Sequence, residues 1–150
     1  MSNWVSAEPE LFKGLFDTIM ASPLSAKVNH IEDGVKKEAY HLREQIYTEM
    51  ETPYIVIGET DVIENVTSTS MREAIAVQMH VYSDSKFECR ELLRWLKYYA
   101  KAKIPMVHYE VEKIRLSNEQ VMTDVDQYTS HGVLRLSYTV RHHVLYRNEK

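Results

Sequence analysis

The chain has 150 residues, of which 44% are hydrophobic and 27% charged. That composition belongs to one folded domain with a real core and excludes a mostly disordered chain. The formal net charge is −4 and no basic cluster is visible, which argues against holding nucleic acid by phosphate contacts.

The start, Met1 to Ser6, has no basic run followed by an apolar one, so no signal peptide is expected. No stretch of about 18 apolar residues occurs, so no membrane-spanning helix is expected. The single cysteine, Cys89, has no partner for an internal disulfide and fits a reducing compartment. Asn65, Val66 and Thr67 spell a glycosylation sequon, which in an intracellular protein is a chance match.

Leu11, Phe12, Leu15, Phe16 and Ile19 recur at helical spacing and predict a helix from Glu8 to Ala21. Ser6 or Glu8 stands where a cap is expected, with Pro9 in the first turn, and Ser22-Pro23 ends the helix. Val28 and Ile31 suit a short strand. Val35, Ala39, Leu42, Ile46 and Met50 form a helical stripe, which predicts a helix from about Val35 to Gln45.

A strand follows over Tyr54 to Ile57, entered by Pro53 and left by Gly58. The next ten residues, Asp61, Val62, Ile63, Glu64, Asn65, Val66, Thr67, Ser68, Thr69 and Ser70, are expected to form a loop. Ten residues is long for joining two neighbouring strands, which makes this segment a candidate assembly element; a slack turn or two longer strands are the plain alternatives. A strand beginning near Met71 should turn Ile75, Val77, Met79 and Val81 to the core, and Ala74, Ala76, Gln78, His80 and Tyr82 away from it.

Ser85 and Glu88 form a capping box, and the helix they open should run to Ala102 with Cys89, Leu92, Leu93, Leu96, Tyr99 and Ala100 on its apolar face. Trp95 and Tyr98 lie beside that face. They are candidate subunit contacts, set against a helix buried within its own domain. Val107, Tyr109 and Val111 occupy one parity and Ile114 and Leu116 the other, so a bulge or a change of covered face is expected near Glu112. A short strand over Gln120 to Asp124 is expected next. The last strand, Gly132 to Leu145, should set Leu134, Leu136, Tyr138, Val140 and His142 against Val133, Arg135, Ser137, Thr139 and Arg141. Short connections favour antiparallel pairing with helices on one face. The expected fold is therefore α+β, a single domain over 1–150.

The search for chemistry yields little. His142 and His143 are adjacent on a strand and must point to opposite faces. His80 sits on the exposed parity, and His30, His41 and His108 have no second ligand at a metal-binding spacing. Asp124 and Asp126, with His131 nearby, are the best local cluster. The EF-hand pattern is absent there, and the segment reads as a self-bonded polar turn. Cys89 on an apolar face reads as a small buried hydrophobe. Four glycines leave little material for a phosphate cradle. No catalytic residue, metal or cofactor is expected.

Three elements carry a family resemblance: Pro-Tyr-Ile-Val-Ile-Gly-Glu at Pro53 to Glu59, His-Val-Tyr-Ser at His80 to Ser83 followed by a helix, and Asp-x-Asp with His-Gly-Val-Leu-x-Leu between Asp124 and Leu136. In this order, over Ile46 to Leu136, they resemble the tail-completion proteins of long-tailed bacteriophages and prophages, which are related in fold to the tail terminator of phage lambda. Residues 24–50 are longer than the family pattern. The resemblance implies a structural virion protein and no enzyme. It implies a six-fold ring that caps the head-proximal end of the tail tube, binds the tail tube protein and the head-completion protein, and assembles in the host cytoplasm. DNA would pass the lumen without specific binding, and copies carrying −4 each would repel it. Two other readings stay open: a cytosolic dimeric ligand-binding or regulatory domain, and a small enzyme using Asp124, Asp126 and His131.

Overall fold

Five strands in one sheet carry two helices on one face. In the computed structural model, the structure describes residues 2–3, 5–24, 31–32, 35–36, 42–43, 53–66, 70–123, 128–143 and 146–147. In chain order the elements are β1 (Ser2–Asn3), α1 (Glu8–Met20), β2 (Ile31–Glu32), β3 (Val35–Lys36), β4 (Leu42–Arg43), β5 (Tyr54–Val66), β6 (Met71–Ser83), α2 (Lys86–Ala100), β7 (Tyr109–Thr123), β8 (Ser130–His142) and β9 (Tyr146–Arg147). The main sheet has the order β4-β5-β6-β8-β7, and its four long strands are all antiparallel. This is the α+β architecture that the hairpin-helix-hairpin order implies.

α1 forms where the apolar stripe predicts it and buries Leu11, Leu15 and Ile19. Its N-cap residue is Ala7, whose side chain caps nothing. Ser6 does part of that work, since its Oγ accepts the Glu8 N–H at 3.2 Å. Glu8 and Glu10 in the first turn favour the positive end of the helix dipole. After Met20 the chain turns, and Ser22 Oγ donates to the Ile19 carbonyl at 2.6 Å.

The helix expected from Val35 to Gln45 does not form at its described positions. Val35–Lys36 pairs with Ile31–Glu32, and Leu42–Arg43 lies parallel to Ile55–Val56. The stripe offers about one apolar side chain per turn, too narrow to hold a helix by packing. Pairing beside a strand satisfies the same backbone groups. Ile46 to Thr48, which the resemblance makes an extended approach to Pro53, lies outside the described residues.

The ten-residue loop is also corrected. Asp61 to Val66 continues β5 and pairs with β6 from Asp61↔Ala76 to Val66↔Met71. β-branched Val62, Ile63 and Val66 suit a strand, and their polar neighbours reflect a hairpin wetted on both faces rather than a turn. The interruption comes earlier, at a bulge between Gly58 and Thr60, where Glu59 takes a positive φ of 37°. Thr67, Ser68 and Thr69 lie outside the described residues, and half-buried Ser70 leads into β6.

β6 alternates as expected, with Ile75, Val77, Met79 and Val81 fully buried. α2 opens on Ser85, whose side chain accepts the Glu88 N–H at 3.3 Å. The capping box closes differently from its usual form: the Glu88 carboxylate accepts from the Ser83 hydroxyl. α2 ends at Ala100, two residues before the expected end. β7 carries the expected bulge, between Val111 and Lys113. A second bulge, between Leu116 and Asn118, lets the strand continue to Thr123, so the separate short strand over Gln120 to Asp124 is not a new element. In β8 the two parities separate as expected, and it is Leu134, Leu136, Tyr138, Val140 and His142 that face the core.

The core is the layer between the helices and this face of the sheet. Two glycines permit close approach there. A Cβ on Gly14 would stand 2.6 Å from Ile104 Cγ2, and one on Gly132 would stand 3.0 Å from Cys89 Sγ. Packing at this density leaves no room for even one methyl group without movement.

Candidate functional site

Three places concentrate polar or exposed groups beyond what the fold needs. The first is buried. Glu73 of β6 occupies a core-facing position and is fully buried. Its Oε1 accepts the Ala7 N–H at 2.7 Å and faces His142 Nε2 of β8 at 2.7 Å; its Oε2 accepts the Ser6 hydroxyl at 2.6 Å. Tyr109 stands edge-on to His142, with ring centroids 4.7 Å apart, and donates its hydroxyl to the Val5 carbonyl at 3.1 Å. One carboxylate thus fastens the entry of α1 to the middle of the sheet. Each polar atom named here holds one of these segments to another. Sequence reasoning missed it, although the signal was present: Glu73 and His142 share the parity of the core residues in their strands.

The second is the sheet face away from the helices. Tyr54 and Tyr82 stack at 4.8 Å, Tyr82 and His131 at 4.3 Å. His80 Nδ1 lies 2.9 Å from His131 Nε2, and His80 Nε2 lies 3.1 Å from Glu59 Oε1. Arg135 reaches Asp61 at 2.9 Å. His80 sits on the predicted outward face, yet its side chain is only 13% exposed. Asp124 and Asp126, expected beside His131, lie outside the described residues; His131 is engaged with His80 and Tyr82. Among the described residues no three His, Cys, Asp or Glu side chains gather around a common point that could hold a metal. The face locks the register of β5, β6 and β8 through cross-strand pairs.

The third comprises the exposed edges and ridges. Val62 and Ile63 of the β5–β6 hairpin are 40% and 71% exposed, and Leu116 of β7 is 44% exposed. On α2, Tyr98 is 64% exposed and meets half-buried Trp95 edge-on at 5.6 Å. Arg94 lies over the Trp95 ring at 5.2 Å. The side of α2 that carries Tyr98 is therefore not buried within the described chain.

Two other features carry no chemistry. Cys89 is buried against β6 and β8, and burial pushes its thiol up to about 11, so it is no nucleophile at neutral pH. An open cleft of about 740 Å³ runs between residues 101–106 and the start of β7. Its carboxylates are already engaged: hydrogen bonds from Arg141 and His143 hold Glu110 below the usual carboxylate range, and one from Arg72 does the same for Glu112. No helix among the described residues is long and apolar enough to cross a membrane.

No protein-family model and no curated protein matches the chain. Among solved structures it is similar to a chain of the virion of a native gene transfer agent particle, with a TM-score of 0.73 and 10% sequence identity. The match covers 92% of this chain and 99% of that one. At that identity the likeness establishes the fold: this chain is an α+β domain with the fold of that virion chain.

Proposed function

We propose that this chain is a structural protein of a phage-like virion and has no catalytic role. The observation that carries the reading is the length of the likeness, because nearly the whole of a virion chain is reproduced and not a shared core alone. The motif order from Pro53 to Leu136 supports the finer assignment. In it the chain forms a six-fold ring at the head-proximal end of the tail tube, contacting the tail tube protein on one side and the head-completion protein on the other. A ring of copies each carrying −4 lets DNA pass without adhering. The β5–β6 hairpin, from Asp61 to Ser70, is the proposed assembly element, with Val62 and Ile63 as its apolar contacts. Trp95 and Tyr98 on α2 are proposed as a further contact between subunits.

Mass spectrometry of purified particles, with electron microscopy of particles carrying a tag on this chain, tests the reading. The tag is expected at the junction of head and tail. Absence of the chain from particles, or a label elsewhere along the tail, overturns it. Val62→Ser with Ile63→Ser, which leaves the β5–β6 pairing in place, is expected to give filled heads and free tails. Normal particles from that double variant would remove these contacts from the mechanism.

A further inference from the structure

Among the described residues the sheet has two open edges of different character. On one side β4 covers β5 only at Ile55 and Val56, so from Thr60 to Val66 no described strand lies beside it. On the other side β7 is the last strand over all 15 of its residues. An open edge presents a row of N–H and C=O groups that pair readily with another chain. β7 is bent by two bulges, but the run between them, Lys113 to Leu116, keeps regular register with β8. β5 is likewise regular after its own bulge, from Thr60 to Val66.

The two edges complement each other on both faces. On the outer face β5 carries Asp61, opposite Ala76, while β7 carries Lys113 and Arg115, opposite Thr139 and Ser137. On the helix side β5 carries Val62, opposite buried Ile75, and β7 carries Leu116, opposite buried Leu136. Val62 and Leu116 stay 40% and 44% exposed at these margins. Pairing β7 with β7 would bring Lys113 and Arg115 together, and like charges across a strand pair are unfavourable. Unlike edges meeting is the arrangement that charge permits, and it is also what a closed ring requires.

We propose that β5 of one copy, over Thr60 to Val66, pairs edge to edge with Lys113 to Leu116 of the next, so that the sheets of neighbouring copies become continuous. This rests on the ring reading above and names the surfaces that close it. The test uses particles made from the full set of virion genes with the chain carrying Val62→Cys and Leu116→Cys. Both positions are exposed, and native Cys89 is buried and unreactive. A short bismaleimide is expected to give a ladder of covalent multimers ending at the ring size. Either single variant alone should stay monomeric. Hydrogen exchange on the unmodified chain gives a second readout: amides of 60–66 and 113–116 should exchange at least about tenfold slower in the assembly than in the dilute free chain. If the chain is a ring in particles, yet the double variant does not cross-link and those amides gain no protection, edge pairing is overturned while the ring stands. Cross-linking by a single variant overturns the head-to-tail arrangement. A chain absent from particles removes the ring reading itself.

Discussion

Replacing Glu73 with alanine should be among the most damaging single changes in this protein. The carboxylate is fully buried and serves three donors from three parts of the fold: the Ala7 N–H, the Ser6 hydroxyl and His142 Nε2. Alanine leaves all three without it. An abandoned buried donor costs about 1–3 kcal/mol, and more where the lost partner is charged. These costs overlap, so the expected loss is about 4 kcal/mol, against a total stability on the order of 5–15 kcal/mol for a domain. With a urea m-value of about 2 kcal/mol/M, the midpoint should fall by about 2 M. Glu73→Gln preserves shape and one acceptor and should cost less, about 1–2 kcal/mol. Replacing Glu73 and His142 together by leucine should cost less than the sum of the two single changes, because His142 is no longer left stranded, although the Ala7 N–H and the Ser6 hydroxyl still lose their acceptor. Urea unfolding followed by circular dichroism, with hydrogen exchange across residues 5–20, reads all of these. A Glu73→Ala protein within about 1 kcal/mol of the parent, with unchanged protection of α1, would refute the fastening role.

Gly132→Ala should destabilise by about 1–3 kcal/mol, since the new methyl meets Cys89 Sγ at 3.0 Å and Leu93 Cδ2 at 3.4 Å; Cys89→Ala in the same chain should recover part of the loss, read as melting temperature. Cys89 should react with a thiol reagent at pH 8 far more slowly in the folded chain than in urea, because it is buried and its thiol is pushed up to about 11. Glu110 and Glu112 are held below their usual value of 4.5, so their contribution is present above that value and is lost as pH falls through the depressed folded values. Both are largely solvent-screened, so Arg72→Gln should soften the acid-side fall in stability only slightly, which pH-dependent urea midpoints would show. Replacing Asp124 and Asp126 with asparagine should change turn stability by about 1 kcal/mol and leave particle assembly intact; loss of infectious or transducing particles with the fold preserved would bring back a chemical role.

The amino-acid order alone determined the α+β class, the two helices, the core face of β6 and the alternation of β8, because period 3.6 and period 2 are local properties of the chain. It also marked the place near Glu112 where the parity switches from Val111 to Ile114, and the folded chain resolves that switch as a bulge rather than a change of covered face. It failed where neighbours decide. Val35 to Gln45 has a helical stripe too narrow to bury, and two described parts of it pair as strand. Asp61 to Val66 looked like a loop because a hairpin solvated on both faces loses the alternation that marks a strand. The Glu73–His142 pair and the His80–His131 contact each join positions 69 and 51 residues apart, and no local pattern encodes which distant strand will lie alongside. The two open edges follow from strand order, β4-β5-β6-β8-β7, which only the folded chain establishes. Composition and periodicity act over one or two turns of chain, whereas register, burial of a charge and the identity of an edge are set by contacts that form only once the sheet has closed on its helices.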